Sequence, residues 1–140
     1  MRAMHIRRAF RLGIRGKWVF FRLLRNAGGG PCFSVSTVAR GDFGGAACPN
    51  GNFPSPQRPV LDLSIYESTS HTERALTLFR AEGVTADGVA DVDFIAADGS
   101  TLAHAVVVAN IYSINAPPAG QVRGLIAHDA TGRVVFQFRF

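Results

Sequence analysis

The C-terminal part of this chain contains two β-hairpins complete with their turns, and this constrains the fold more than any other feature. Asp98-Gly99 separates a β-rich run at 89–95 from a second run at 102–112. Because glycine tolerates the positive φ of a tight turn, Asp-Gly between two such runs is a strong hairpin signal. The sequence therefore predicts an all-β fold.

The first hairpin has a register that sorts its residues by polarity. A two-residue loop at the Asp-Gly turn places Phe94 opposite Ala103 and Asp93 opposite His104. Successive side chains of a strand point to opposite faces, so the face with Phe94 is apolar and the face with Asp93 is polar. A slip of one residue would mix the two faces, which supports this register.

The second hairpin joins 121–128 to 133–140 through the segment from Asp129 to Gly132. We predict a three-residue loop with Asp129 opposite Arg133 and with Gly132 in the left-handed conformation. This register places Ile126 opposite Phe136. One apolar face of the final strand is predicted to belong to the core: Val134, Phe136, Phe138 and Phe140.

Further β-rich segments precede these hairpins. They lie at 17–25, 32–38, 60–67 and 73–81. We expect Glu82-Gly83 to break the chain after the last of them, and 39–59 to be a long irregular stretch. About eight strands with regular turn signals predict a two-sheet antiparallel sandwich with immunoglobulin-like packing, or a small barrel.

Positive charge is concentrated at the N-terminus. Residues 1–26 hold eight of the fifteen Lys and Arg residues and none of the ten acidic ones. We therefore divide the chain into a basic leader or tail at 1–16 and a β-sandwich domain at 17–140. Arginines that would contact an anionic surface are Arg2, Arg7, Arg8, Arg11 and Arg15. A nucleic-acid or anionic-surface binder is thus one alternative function, although the aromatic interleaving of single-strand binders is missing and we do not expect nucleic acid.

The two cysteines, Cys32 and Cys48, flank a loop rich in glycine. A disulfide that closes a loop of this size would add roughly 3 kcal/mol to stability by the loop-entropy argument. We predict this bridge, with a pair of free thiols as the alternative. The spacing does not match paired zinc knuckles.

Asp91, Asp93 and His104 form the candidate polar site of the first hairpin. A carboxylate that orients a histidine is common in catalytic and metal sites, but such a pair also occurs on solvent-facing strands, which is our expectation here. A small hydrolase or metal site remains a second alternative. His128 is predicted to be an isolated surface residue.

No serine-nucleophile elbow, phosphate loop or dinucleotide fingerprint occurs in the sequence. We therefore predict no catalytic residues, no metal and no cofactor. The sequence also lacks an apolar run of the length expected for an export signal or a transmembrane helix.

Four segments together resemble small immunoglobulin-like β-sandwich domains of the bacterial cell envelope. They run from Val60 to Tyr66, Gly83 to Val92, Ala109 to Tyr112 and Gly132 to Val135. The resemblance implies an exported or tethered module of unknown activity with a cysteine pair in its first half, and it carries no catalytic residues. The functional hypothesis is a non-enzymatic, extracytoplasmic module that binds a protein or cell-surface partner or gives structural support.

Overall fold

The computed structural model describes residues 11–14, 17–25, 31–37, 43–48, 53–68, 76–115, 117–118 and 120–140. The described residues form thirteen β-strands and no helix. In chain order the strands are β1 (Arg11–Ile14), β2 (Lys17–Arg25), β3 (Pro31–Thr37), β4 (Phe43–Ala47), β5 (Val60–Asp62), β6 (Ile65–Ser68), β7 (Leu76–Thr85), β8 (Asp91–Ile95), β9 (Thr101–Val106), β10 (Ile111–Asn115), β11 (Gln121–Val122), β12 (Gly124–His128) and β13 (Val134–Arg139). None of these described segments is a helix that could cross a membrane.

The nine strands from β5 to β13 form two antiparallel sheets. In the first, β7 is central, with β5 and β6 along one side and β10 and β11 along the other. The second sheet has the order β13-β12-β8-β9. The predicted all-β class and two-sheet sandwich are therefore confirmed.

Apolar side chains from both sheets form the core between them. The β7 sheet contributes Leu78 and Tyr112, and the β8 sheet contributes Val92, Phe94 and Leu125, all of them buried. The rings of Phe94 and Tyr112 meet across the interior with centroids 6.2 Å apart. Burial of such side chains contributes about 1.5–3 kcal/mol each, which makes this layer the main source of stability.

A third antiparallel sheet, with the order β1-β2-β3-β4, precedes the sandwich. Phe33 of β3 packs edge-on against Phe53 and belongs to a second apolar cluster with Leu61, Val84 and Ile111. These three residues alternate with core residues along β5, β7 and β10, so they lie on the other face of the β7 sheet. Residues 11–14 of the predicted leader pair with β2, whereas 1–10 and 15–16 lie outside the described residues.

The first hairpin has the predicted register over most of its length but a different turn. Asp93 lies opposite His104, and Phe94 opposite Ala103. The loop, however, has three residues, because Ala96 pairs with Ser100 through a hydrogen bond of 2.9 Å. A bulge between Phe94 and Ile95 absorbs the extra residue and restores the predicted pairs.

The second hairpin turn is confirmed, but its register shifts farther along the strands. Asp129 donates its backbone N–H to Arg133, and Gly132 has a φ of 84°. A bulge at Ala127/His128 then places Ile126 opposite Gln137 rather than Phe136. The predicted core face of β13 is largely exposed, since Val134 and Phe138 are each about half accessible.

Several predicted strand limits were wrong. The predicted strand at 60–67 is divided into β5 and β6. The run at 102–112 is split between β9 and β10 by a tight turn in which Ala109 and Asn110 both have positive φ. In contrast, β7 continues through Glu82-Gly83, where a break was predicted. The segment predicted to be irregular also contains β4.

Candidate functional site

Asp91 and Asp93 project from β8, which lies between β9 and β12 in its sheet. The Nδ1 atom of His104 on β9 lies 2.6 Å from Oδ1 of Asp93. Asp91 lies opposite Val106 on the same hairpin, so its polar partner comes from elsewhere. The sheet thus brings the three predicted site residues to one face.

His128 is the member of this group that sequence reasoning missed. It lies on β12 opposite Asp91, and its Nδ1 atom is 2.7 Å from Oδ1 of Asp91 and 3.9 Å from Oδ2 of Asp93. The prediction paired residues only within each hairpin, whereas β8 and β12 belong to different hairpins. We call Asp91, Asp93, His104 and His128 the His–Asp cluster.

The His–Asp cluster has the composition of a metal site as well as that of two hydrogen-bonded pairs. Ligand atoms of Asp91, Asp93 and His104 all lie within 4.8 Å of one another. The aspartates and His128 are partly buried, whereas the side chain of His104 is 52% exposed. The cluster is therefore fixed by the sheet yet open to solvent.

A groove of about 490 Å³ lies between β13 and β5. We call it the aromatic groove, and its lining residues are Gln57, Arg58, Val60, Asp62, Leu125, Phe136, Phe138 and Phe140. Phe140 stacks edge-on with Phe138 and with Tyr66 of β6, with ring centroids 5.6 and 5.1 Å apart. A volume of this size is within the range of ligand-binding clefts.

Asp62 anchors a hydrogen-bond network at the wall of this groove. Its carboxylate accepts hydrogen bonds from the hydroxyls of Tyr66 and Tyr112 at 2.5 and 2.7 Å, and from the hydroxyl of Ser64 at 2.5 Å. Ser64 in turn accepts the backbone N–H of Glu82 at 3.0 Å. The network joins β5, β6, β7 and β10, so its first effect is to fix the position of the groove wall.

Tyr66 and Tyr112 stay protonated in this environment. Burial raises the pKa of each phenol above its usual range, and the negative charge of Asp62 raises it further. A phenol with a raised pKa donates hydrogen bonds and does not act as a base near neutral pH. The two tyrosine hydroxyls therefore remain hydrogen-bond donors to the Asp62 carboxylate.

Glycine at position 83 makes the Tyr112 contact geometrically feasible. Gly83 lies directly between its two cross-strand partners, Tyr112 on β10 and Asp62 on β5. A Cβ atom at this position would lie 2.3 Å from the Tyr112 hydroxyl oxygen. The tyrosine ring therefore crosses β7 at its one glycine. Gly83, which the sequence predicts to break the chain, instead leaves room for this ring.

The predicted cysteine pair belongs to the β1-β2-β3-β4 sheet, with Cys32 near the start of β3 and Cys48 just after the end of β4. Phe33 and Ala47 are cross-strand partners, so the next residues outward, Cys32 and Cys48, are at adjacent positions of β3 and the end of β4. Cys48 is disulfide-bonded in the structure. Of the candidate anionic-surface contacts, Arg11 begins β1, whereas Arg2, Arg7, Arg8 and Arg15 lie outside the described residues.

Comparison with protein-family models, with curated proteins and with solved structures gives no match to this chain.

Proposed function

We propose that this protein is a non-enzymatic, extracytoplasmic β-sandwich module that binds an extended segment of a partner protein along β13 and the aromatic groove. The observation that carries this proposal is the exposure of Phe138 and Phe140, which are 51% and 44% accessible although they continue an apolar stripe. Exposed aromatic side chains that border a cleft are typical anchors of protein partners.

The backbone of β13 favours a partner that adds as a β-strand. Among the described residues β13 pairs only with β12, so it is an edge of its sheet. Phe140 donates its backbone N–H to Arg123 at 3.0 Å, which directs its polar groups toward β12. The backbone N–H and C=O groups of Gln137 and Arg139 then face the open edge, because successive residues of an antiparallel strand direct these groups to opposite sides. Strand addition uses such an edge for affinity and neighbouring pockets for specificity.

Charge around the groove favours acidic side chains in the partner segment. Arg58 lines the groove and Arg139 lies on β13, and both are exposed. Asp62, the acid of the groove, already accepts several hydrogen bonds from within the protein. The preferred segment therefore alternates apolar residues, which enter the groove, with acidic residues, which lie on the opposite face of the added strand beside Arg139.

The disulfide of Cys48 supports the extracytoplasmic location, as does the resemblance to envelope domains. Cys32 is the only other cysteine in the sequence, and we propose it as the partner of Cys48. Structural disulfides persist in oxidising compartments. Protein isolated without reductant should contain no free thiol, and two reactive thiols in protein from its native compartment would contradict this location.

Binding is tested with a synthetic peptide that alternates phenylalanine and glutamate over the length of β13, titrated into isotopically labelled protein and followed by NMR. Phe138→Ser should weaken binding by about 30-fold, the loss expected of an aromatic anchor worth about 2 kcal/mol. Val106→Ser is the matched control, because Val106 is exposed on β9 at the opposite edge of the sheet. It should leave the affinity unchanged.

Gln137→Pro tests strand addition separately from the apolar contacts. Proline removes the N–H that faces the open edge and keeps the ladder to β12, so the fold should persist while binding is lost. Binding that survives both Phe138→Ser and Gln137→Pro would refute the proposed surface. A dimer of the wild-type chain that dissociates in Gln137→Pro would instead identify a second copy as the occupant and overturn the partner assignment.

A further inference from the structure

The His–Asp cluster combines two imidazoles and two carboxylates on three neighbouring strands. Asp91 and Asp93 alternate with buried core residues along β8, so both project from the outer face of the sheet. His104 reaches Asp93 from β9, and His128 reaches Asp91 from β12. Hydrogen-bonded strands hold the four side chains at fixed backbone positions, which is the preorganisation that a binding site requires.

Charge within the cluster is unbalanced when both imidazoles are neutral. Two carboxylates then lie on one face of β8, and no ion pair to a lysine or arginine is seen for either of them in the described part of the chain. A divalent cation would neutralise both carboxylates at once.

We propose that the His–Asp cluster binds a divalent transition metal ion of the zinc class through Asp91, Asp93, His104 and His128. Imidazole nitrogen and carboxylate oxygen are usual zinc ligands, with bonds of about 2.0–2.2 Å. Hard cations such as magnesium and calcium prefer oxygen ligands alone. The two imidazoles therefore select the class of metal.

Donor atoms of Asp91, Asp93 and His104 lie within 4.8 Å of one another, whereas His128 is not part of this set and has to move toward Asp93 to complete a tetrahedral site. Bonds of about 2.0–2.2 Å place tetrahedral ligand atoms about 3.3–3.6 Å apart. The His128 Nδ1 to Asp93 Oδ2 distance of 3.9 Å is slightly longer than this, and the two hydrogen-bonded pairs at 2.6 and 2.7 Å are shorter. The metal takes the place of the Nδ1 proton in each pair, and that imidazole then carries its proton on Nε2. The two hydrogen-bonded pairs have to move apart, and His128 has to approach Asp93. Because the aspartates project from the outer face of the sheet, these shifts do not require the core to repack.

The test uses the full chain in its oxidised form, so that thiols do not compete for the metal. After dialysis against a chelator, zinc chloride is titrated in by isothermal calorimetry, with magnesium and calcium chloride as parallel titrations. We expect one zinc ion per chain in the micromolar range and no binding of magnesium or calcium. His104→Gln and His128→Gln should each weaken zinc binding by at least about tenfold, the lower range for loss of a residue that supports a metal site.

Asp98→Asn is the control, because Asp98 is an exposed carboxylate at the hairpin turn outside the cluster, and it should leave zinc affinity unchanged. The double variant His104→Gln/His128→Gln should bind no zinc while its circular dichroism spectrum and melting temperature stay close to those of the wild type. The proposal is refuted if the wild type takes up no zinc. It is equally refuted if both glutamine variants bind zinc as well as the wild type, since the ion would then lie elsewhere.

Discussion

Replacing Gly83 with alanine is expected to destabilise the sandwich more than any ordinary glycine-to-alanine change. The new Cβ atom would lie 2.3 and 2.4 Å from Oη and Cζ of Tyr112 and 2.5 Å from the backbone oxygen of Leu61. Tyr112 is fully buried, and Leu61 is fixed by pairing with β7, so neither can move aside cheaply. The tyrosine ring must therefore leave its position over the central strand.

The cost has two parts. Overpacking of a filled core costs about 1–3 kcal/mol, and loss of the Tyr112 hydrogen bond to the Asp62 carboxylate costs about 1.5–3 kcal/mol. We expect the free energy of unfolding to fall by about 3–5 kcal/mol, which for a chain of this size lowers the melting temperature by about 10–20 °C. Urea denaturation followed by tryptophan fluorescence and circular dichroism measures the change.

Two variants separate the contact from general effects of glycine replacement. Gly88→Ala places its Cβ in open space but at a φ of +95°, so only backbone strain of about 1–2 kcal/mol is expected. Tyr112→Phe removes the hydroxyl alone and should cost about 1.5–3 kcal/mol. If Gly83→Ala stays within about 1 kcal/mol of the wild type, below the usual effect of core overpacking, the passage of Tyr112 over Gly83 is refuted.

Two further predictions follow from burial on the two faces of the sandwich. Phe94→Ala should lower the free energy of unfolding by about 3–5 kcal/mol because the ring is fully buried. His104→Ala in metal-free protein should lower it by under about 1 kcal/mol because it removes an exposed cross-strand pair. Equal losses in chemical denaturation would refute this assignment of faces. The phenols of Tyr66 and Tyr112, the two tyrosines of the chain, should not ionise before the protein unfolds. Their folded pKa values are raised above the unfolded value of about 10, so their contribution to stability is full below that pH and falls as the pH rises through it. Absorbance at the phenolate band should therefore rise together with the loss of the circular dichroism signal. Phenolate absorbance in protein that is still folded would contradict the buried network.

The turn of the second hairpin was predictable from the sequence, and the structure confirms it. Gly132 adopts the left-handed conformation assigned to it, and Asp129 pairs with Arg133. The polarity pattern of the first hairpin likewise identified Phe94 as core and Asp93 as the partner of His104. In the second hairpin the turn residues set the pairing next to the loop. In the first hairpin the predicted two-residue loop was wrong, and the sorting of polar from apolar residues is what identified the correct pairs.

Contacts between hairpins were not predictable in this way. His128 reaches Asp91 because β12 lies beside β8, and no residue of either hairpin specifies that neighbour. Glu82-Gly83 predicts a chain break because glycine is depleted in strands. In the structure, the lack of a side chain at Gly83 instead makes room for Tyr112, which lies far away in sequence. The bulge at Ala127/His128 was not predictable either, because it is a property of the pairing between β12 and β13 and not of either strand alone.

The apolar stripe of β13 shows how far an alternation pattern can be interpreted. Alternation predicts that one face of a strand avoids water, and for β13 it predicts that this face belongs to the core. In the structure Phe138 and Phe140 instead border the aromatic groove at an open edge, with Leu125 as the buried floor behind them. The same pattern is expected of a strand that is covered by a binding partner, because burial on binding and burial on folding select the same residues. An apolar stripe that folding leaves exposed, beside an edge with free backbone groups, is therefore the feature that most strongly favours a binding function for this protein.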